Sequence, residues 1–192
     1  MSSTAPQSPA LALAVDLGGT KVEAALVTDQ GVVLPATRFR SPTGPQRTSD
    51  ELQAAVDEVV TAALGALPAD ATLVGVGVGS AGPVDEEHGL VSPLNMPVWR
   101  GHPLRDRIAA LVPDDVPVTL RMDGLAITLA EHWVGAAQGY EHVMGMIVST
   151  GVGGGLILHG RTVSGPTGNA GHIGHVECGG YDDPCACGGT GC

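Results

Sequence analysis

Two stretches of the chain share one pattern: an apolar run, a tight turn built from glycine and threonine, and a second apolar run. They are LALAVDLGGTKVEAALV (11–27) and HVMGMIVSTGVGGGLILHG (142–160). Two strand-turn-strand units roughly 130 residues apart point to an internally duplicated α/β architecture. No flexible linker separates them.

The runs between these units fill in the order of elements. A turn at Asp29-Gln30-Gly31 and the run VVLPATRF (32–39) predict a third hairpin-joined strand. Thr48 to Glu51 has the form of a capping box, and Leu52, Val56, Val59, Val60 and Ala63 recur at helical spacing up to Pro68. TLVGVGVG (72–79) is a wholly apolar run suited to a buried parallel strand. Further on, the pattern predicts a short helix over 104–112, a strand over 117–121 and a helix over 124–137.

Composition fits that plan. Of 192 residues, 43% are hydrophobic and only 3% aromatic, so the core must come from Val, Leu, Ile and Ala. Nine Lys plus Arg against 20 Asp plus Glu give a formal net charge of −11, which repels phosphate backbones and anionic membranes. No run reaches the length of a membrane span and no secretory signal opens the chain, so a cytoplasmic location is expected. Residues 1–10 read as a frayed tail.

Chemistry concentrates in the turns. In Asp16-Leu17-Gly18-Gly19-Thr20-Lys21 an acid ends an apolar strand, and two glycines free backbone N–H groups to approach a phosphate. Asp16 suits Mg²⁺ held through water, and Thr20 offers a hydroxyl. The same hexamer also suits a plain hairpin turn. The second turn, Ser149 to Gly155, offers the same backbone nest, and three adjacent glycines predict a close approach by something. Gly77-Val78-Gly79-Ser80-Ala81-Gly82 has dinucleotide-fingerprint spacing but lacks its context, because Pro83 and acidic residues stand where a helix should begin.

Asp123 stands where a strand gives way to an Ala-rich helix. That position suits a general base for phosphoryl transfer and equally suits a helix cap. His175, Cys185, Cys187 and Cys192 run as H-x9-C-x-C-x4-C, a ligand set for a tetrahedral structural Zn²⁺, with Cys178 outside the spacing. His172 and His175, three residues apart, can present both rings on one face of a turn.

With these motifs together, the sequence resembles the ROK family (repressor, open reading frame, kinase) of the actin-like ATPase superfamily. The resemblance rests on Asp16 to Lys21, Gly79 to Asp85, Asn95 to Trp99, Asp123, Ser149 to Gly155, and Gly168 to His175 with the three ligand cysteines. It implies an actin-like (ribonuclease H-like) duplicated fold, with an N-terminal domain over 11–120. An incomplete C-terminal domain carrying the zinc loop spans 121–192. It also implies transfer of the γ-phosphoryl of ATP to the 6-hydroxyl of glucose, N-acetylmannosamine or a related hexose. By resemblance Asp123 is the catalytic base. Asp16, Gly18, Gly19, Thr20 and Lys21 form the first phosphate loop, and Thr150, Gly151, Gly153 and Gly154 the second. Gly82, Asp123, His172 and His175 contact sugar.

The implied cofactors are ATP, Mg²⁺ and Zn²⁺, the implied partners are sugar and nucleotide, and the implied assembly is a homo-oligomer. Three positions depart from the family pattern: Met122 and Leu125 replace asparagines, and His172 replaces a glutamate as in bacterial N-acetylmannosamine kinases. A family repressor would carry a winged helix before Leu11, and a sugar-binding protein without turnover is the other reading of the departures.

Overall fold

The computed structural model describes residues 8–149, 151–185 and 187–192. Most of the tail expected over 1–10 and the candidate residue Thr150 lie outside the described residues. The first strand already begins at Ala10, and the Pro9 carbonyl accepts the Thr72 amide at 2.9 Å.

The main layer is a five-stranded sheet. Its strands are β1 (Ala10–Leu17), β2 (Lys21–Thr28), β3 (Phe39–Pro42), β4 (Thr72–Ser80) and β7 (Val118–Met122), in the order β3-β2-β1-β4-β7. β1 pairs antiparallel with β2 but parallel with β4, and β4 is parallel to β7. The expected hairpin and apolar parallel strand are thus both present. The third strand begins later than expected, at Phe39. Pro35 has no amide to donate and opens a 3-10 turn over Pro35–Thr37, while the Thr37 hydroxyl accepts the Leu26 amide at 2.9 Å. Within the run 32–38, Val33 forms an isolated bridge to Val27, with the Val32 carbonyl and the Leu34 amide bonded to Thr28 and Leu26.

Strand alternation divides the sheet into two unlike faces. Leu11, Leu13, Val15 and Leu17 point to one side with Val76, Val78, Leu120 and Met122, all buried. α1 (Ser49–Gly65) packs on this side over β2 and β3 and touches β1, with Leu52, Val56, Val59 and Val60 in the same core. Its start is the full capping box: Glu51 accepts the Thr48 amide at 2.8 Å, and the Thr48 hydroxyl accepts the Glu51 amide at 3.3 Å. Trp99 plugs the same core, and its indole donates to Ser49 at 3.0 Å. The other face is floored by Ala12, Ala14, Gly75 and Gly77, which offer little side-chain bulk.

The remaining elements are smaller. β5 (Val84–Asp85) and β6 (Leu90–Val91) form a short hairpin, and α2 (Leu104–Ala109) ends before the expected limit at 112 because Pro113 follows. α3 (Asp123–Val134) starts directly from β7 and stops short of 137 at Gly135. β8 (Val143–Val148) and β9 (Val152–Leu158) form the expected antiparallel hairpin, extended by β10 (Arg161–Thr162). The strand-turn-strand pattern recurs as foreseen, but among the described residues the second sheet has three strands. Its outer face is apolar and open, with Met144, Met146 and Val148 between 63% and 70% exposed. No helix among the described residues is long and apolar enough to cross a membrane.

Candidate active site

Parallel strands leave their carboxyl ends on one edge, and the candidate residues gather there. Asp16 is the next-to-last residue of β1, Ser80 closes β4, and Asp123 follows β7 as the first residue of α3. β4 alone separates the two aspartates, since Asp16 registers with Gly79 and Gly79 with Arg121. Two strand spacings put β1 and β7 about 10 Å apart. Both carboxylates line a cleft of about 740 Å³ whose walls include Glu23, Ala126, Ile127 and Trp133. Burial raises the pKa of Asp16, with Lys21 opposing and Glu23 adding to the shift. Burial also raises that of Asp123, against the Gly124 amide that donates to it at 2.7 Å and with a further push from Asp16. The two acids therefore sense each other across the cleft.

Asp123 is not the helix cap that its position also suits. Met122 occupies the cap position, and the Asp123 carboxylate spends one oxygen on its neighbour's amide. The rest of the carboxylate is available to the cleft.

The first glycine turn is held rigidly. Gly18 donates to the Lys21 carbonyl at 2.9 Å, the Thr43 hydroxyl donates to the Gly18 carbonyl at 2.8 Å, and the Thr43 amide to the Thr20 carbonyl at 3.0 Å. A Cβ on Gly19 would come within 2.7 Å of Asn95 Cγ, so a larger residue there would have to displace that exposed side chain. Thr20 is exposed at the rim. Lys21 is tied to Glu23 at 3.2 Å, and Glu23 also binds Arg38 and Arg40. Burial would raise the Glu23 pKa, but those three cations outweigh it and hold the carboxyl at about 2. Sequence reasoning missed this cluster, although Glu23 registers with both Asp16 and Arg40 across the sheet.

The second turn is split in character. Gly151 and Gly153 face open space, as a phosphate nest requires, and the Ser149 amide donates to the Gly151 carbonyl at 2.8 Å. Gly154 and Gly155 are buried instead. A Cβ on Gly155 would meet Thr128 Oγ1 at 2.8 Å, and one on Gly154 would meet the Gly171 carbonyl at 3.1 Å. The close approach foreseen for these two is therefore made by α3, by the following loop and, at Gly154, also by the Gly145 carbonyl of β8.

That loop carries the histidines. A 3-10 turn over Ile173–His175 stacks the His172 and His175 rings 4.5 Å apart. Gly82 is beside them: a Cβ there would lie 3.4 Å from Met122 Sδ and 3.6 Å from His172 Nε2. Burial lowers the His172 pKa, and His175 adds to that. Glu86, Arg121 and Ser164, missed in the sequence, hold the loop in place together with Asn169. Glu86 accepts the Ser164 hydroxyl at 3.0 Å and pairs with Arg121 at 3.4 Å, and the Asn169 amide oxygen accepts the Val84 amide at 3.2 Å. These contacts tie the histidine loop to the strand that leads into Asp123.

His175, Cys185, Cys187 and Cys192 converge with all four ligand atoms within 4.8 Å of one another. His175 Nδ1 is 3.5 Å from Cys185 Sγ and 3.8 Å from Cys192 Sγ, and Cys187 and Cys192 sulfurs are 3.7 Å apart. A tetrahedral Zn²⁺ with ordinary Zn–S and Zn–N bonds needs edges of about 3.6–3.8 Å, so these donors fit such an ion. Cys178 is exposed and outside the cluster, as its spacing suggested.

A mixed sheet with paired acids and glycine turns at its carboxyl edge defines an α/β chain of the actin-like ATPase type. The chain belongs to the ROK family, which it matches over residues 12–192. It is 33% identical to the glucokinase of Thermotoga maritima over 94% of its own length and 55% of that protein. It is also 33% identical to the N-acetylmannosamine kinase of Yersinia pseudotuberculosis, over 94% of its length and 58% of the relative. A crystal structure of the Streptomyces griseus ROK glucokinase in complex with glucose and AMPPNP superposes with a TM-score of 0.82. The two are 32% identical, over 95% of this chain and 55% of that one. The chain thus spans a little over half the length of the relatives it matches.

Proposed function

We propose that this protein is an ATP-dependent sugar kinase that phosphorylates the 6-hydroxyl of a hexose of the glucose or N-acetylmannosamine type. The observation that carries the reading is the pair Asp16 and Asp123, set one strand apart on one cleft with raised pKa values. Glucokinase and N-acetylmannosamine kinase relatives support the same class.

In this reading Asp123 accepts the proton of the attacking hydroxyl. Asp16 would hold Mg²⁺, whose positive charge would serve to offset the negative charge developing on the phosphates. The turn 18–21 and the open glycines 151 and 153 cradle the phosphates with backbone N–H groups. Gly82, His172 and His175 meet the sugar. His175 Nδ1 belongs to the zinc set and Nε2 to the pocket, so the metal orders the pocket without taking part in transfer.

A second reading, sugar binding without turnover, is favoured by Met122 and Leu125. Both are apolar and buried where the family pattern has polar residues, so neither can supply a hydrogen bond that would position the hydroxyl for transfer. One experiment separates the readings: sugar-dependent ADP release with glucose and N-acetylmannosamine, alongside sugar binding, for the wild type and Asp123→Asn. The kinase reading expects release that falls by about 10²–10⁴ in the variant. Equal release in both proteins overturns the role of Asp123. Binding without release supports the second reading.

A further inference from the structure

At the end of the β8–β9 hairpin far from its glycine turn, side chains from two separate segments converge. Glu141 and His142 precede β8 and His159 follows β9. Their ligand atoms all lie within 4.8 Å of one another, and all three residues are exposed. The two imidazoles meet edge to face with centroids 4.6 Å apart. The strand ladder holds the arrangement in place: Val143 registers with Ile157, and the Gly160 amide donates to the Glu141 carbonyl at 2.9 Å.

Position 159 has an unexpected occupant. His159 has φ 52° and Gly160 φ 69°, and Leu158 registers with Arg161, so the connection is a two-residue turn with both residues left-handed. Turns of this kind ordinarily take Asn-Gly or Asp-Gly. The backbone alone would be served as well by asparagine, whereas histidine brings a ring to within reach of His142 and Glu141. The His159 amide donates to His142 Nδ1 at 3.3 Å, a long bond that a metal–nitrogen bond can replace.

We propose that Glu141, His142 and His159 form a surface site for a divalent transition-metal ion, separate from the cysteine cluster. Two imidazoles and one carboxylate suit Zn²⁺, Ni²⁺ or Cu²⁺ rather than Mg²⁺ or Ca²⁺, which prefer all-oxygen sets. The exposed rim leaves the remaining coordination positions to water. A net charge of −11 enriches cations near the surface. The six residues of β8 put the site about 20 Å from the glycine turn, so an ion here cannot touch the reacting atoms. Its effect is on the fold, where it staples the entry of β8 to the β9–β10 turn. The inference does not depend on the kinase reading.

The test titrates zinc-loaded full-length chain with Ni²⁺, followed by calorimetry, Ni²⁺–thiolate absorption and thermal melting. The expected result is one added Ni²⁺ per chain with no thiolate absorption and a raised melting temperature. His159→Asn, which suits the turn, and His142→Gln should each weaken binding about tenfold or more and abolish the thermal gain. Ni²⁺ affinity unchanged in both variants overturns the proposal. So does uptake that appears only as thiolate absorption or as released zinc.

Discussion

Gly124 sits so close to Gly154 that a Cβ on Gly124 would come within 2.6 Å of the Gly154 amide nitrogen. This contact joins the first turn of α3, which begins at Asp123, to the strand leaving the second glycine turn. Gly124→Ala sets two effects against each other. Alanine gains about 1 kcal/mol in helix propensity, but overpacking against backbone costs about 1–3 kcal/mol and backbone cannot rotate aside. Net destabilisation is expected, measured as a lower urea midpoint at constant slope. A midpoint that rises would show that the two segments separate freely.

The half-buried His102 gives a pH dependence. His102 stacks on Trp99 at 3.8 Å and meets Gln53 at 2.8 Å, and burial lowers its pKa from 6.5 to about 4, with Arg107 adding to the shift. The unfolded chain therefore takes up a proton more readily than the folded one. The stability that His102 contributes is full above pH 6.5 and is lost as pH falls toward 4. Melting temperatures between pH 7 and 4 should fall more steeply for the wild type than for His102→Gln. Parallel curves would contradict the shift.

The capping box of α1 gives a local prediction. Thr48→Ala removes the hydroxyl that accepts the Glu51 amide, while the backbone amide at 48 can still donate to the Glu51 carboxylate. A loss of about 1 kcal/mol is expected, and Thr48→Ser should recover most of it. Chemical denaturation of the three proteins checks both statements.

Metal removal should register at the thiols. With Zn²⁺ on His175, Cys185, Cys187 and Cys192, a thiol reagent should find Cys178 alone, which is exposed and outside the cluster. Chelation should raise the count to all four cysteines. Cys192→Ser should lower zinc affinity by at least about tenfold. Four reactive thiols before chelation would contradict zinc at this cluster.

Much of this molecule is legible in its residue pattern because the signals are local. The β1–β2 hairpin, the capped α1 and the apolar β4 follow from alternation, capping and run length within each segment. The cysteine cluster follows from spacing alone. What could not be seen depends on contacts across the chain. The run 32–38 has strand propensity, but Pro35 opens a 3-10 turn, and the Thr37 hydroxyl instead of a strand carbonyl takes the Leu26 amide. Gly154 and Gly155 look like a ligand loop, yet their companions are Gly124 and Thr128, some 30 residues distant. Glu86, Arg121 and Ser164 carry no mutual signal, since nothing in their own segments brings them together. The Glu23 cluster was within reach, because alternation from Asp16 across the hairpin leads to it.

Asp16 is carried by β1 and Asp123 by the first position of α3, directly after β7, and β4 lies between those two strands of one hydrogen-bonded sheet. Their separation is therefore a fixed gauge of the fold rather than an adjustable distance. Changes in loop sequence, temperature or solvent act on the glycine turn and histidine loop around them, while the two carboxylates stay in step.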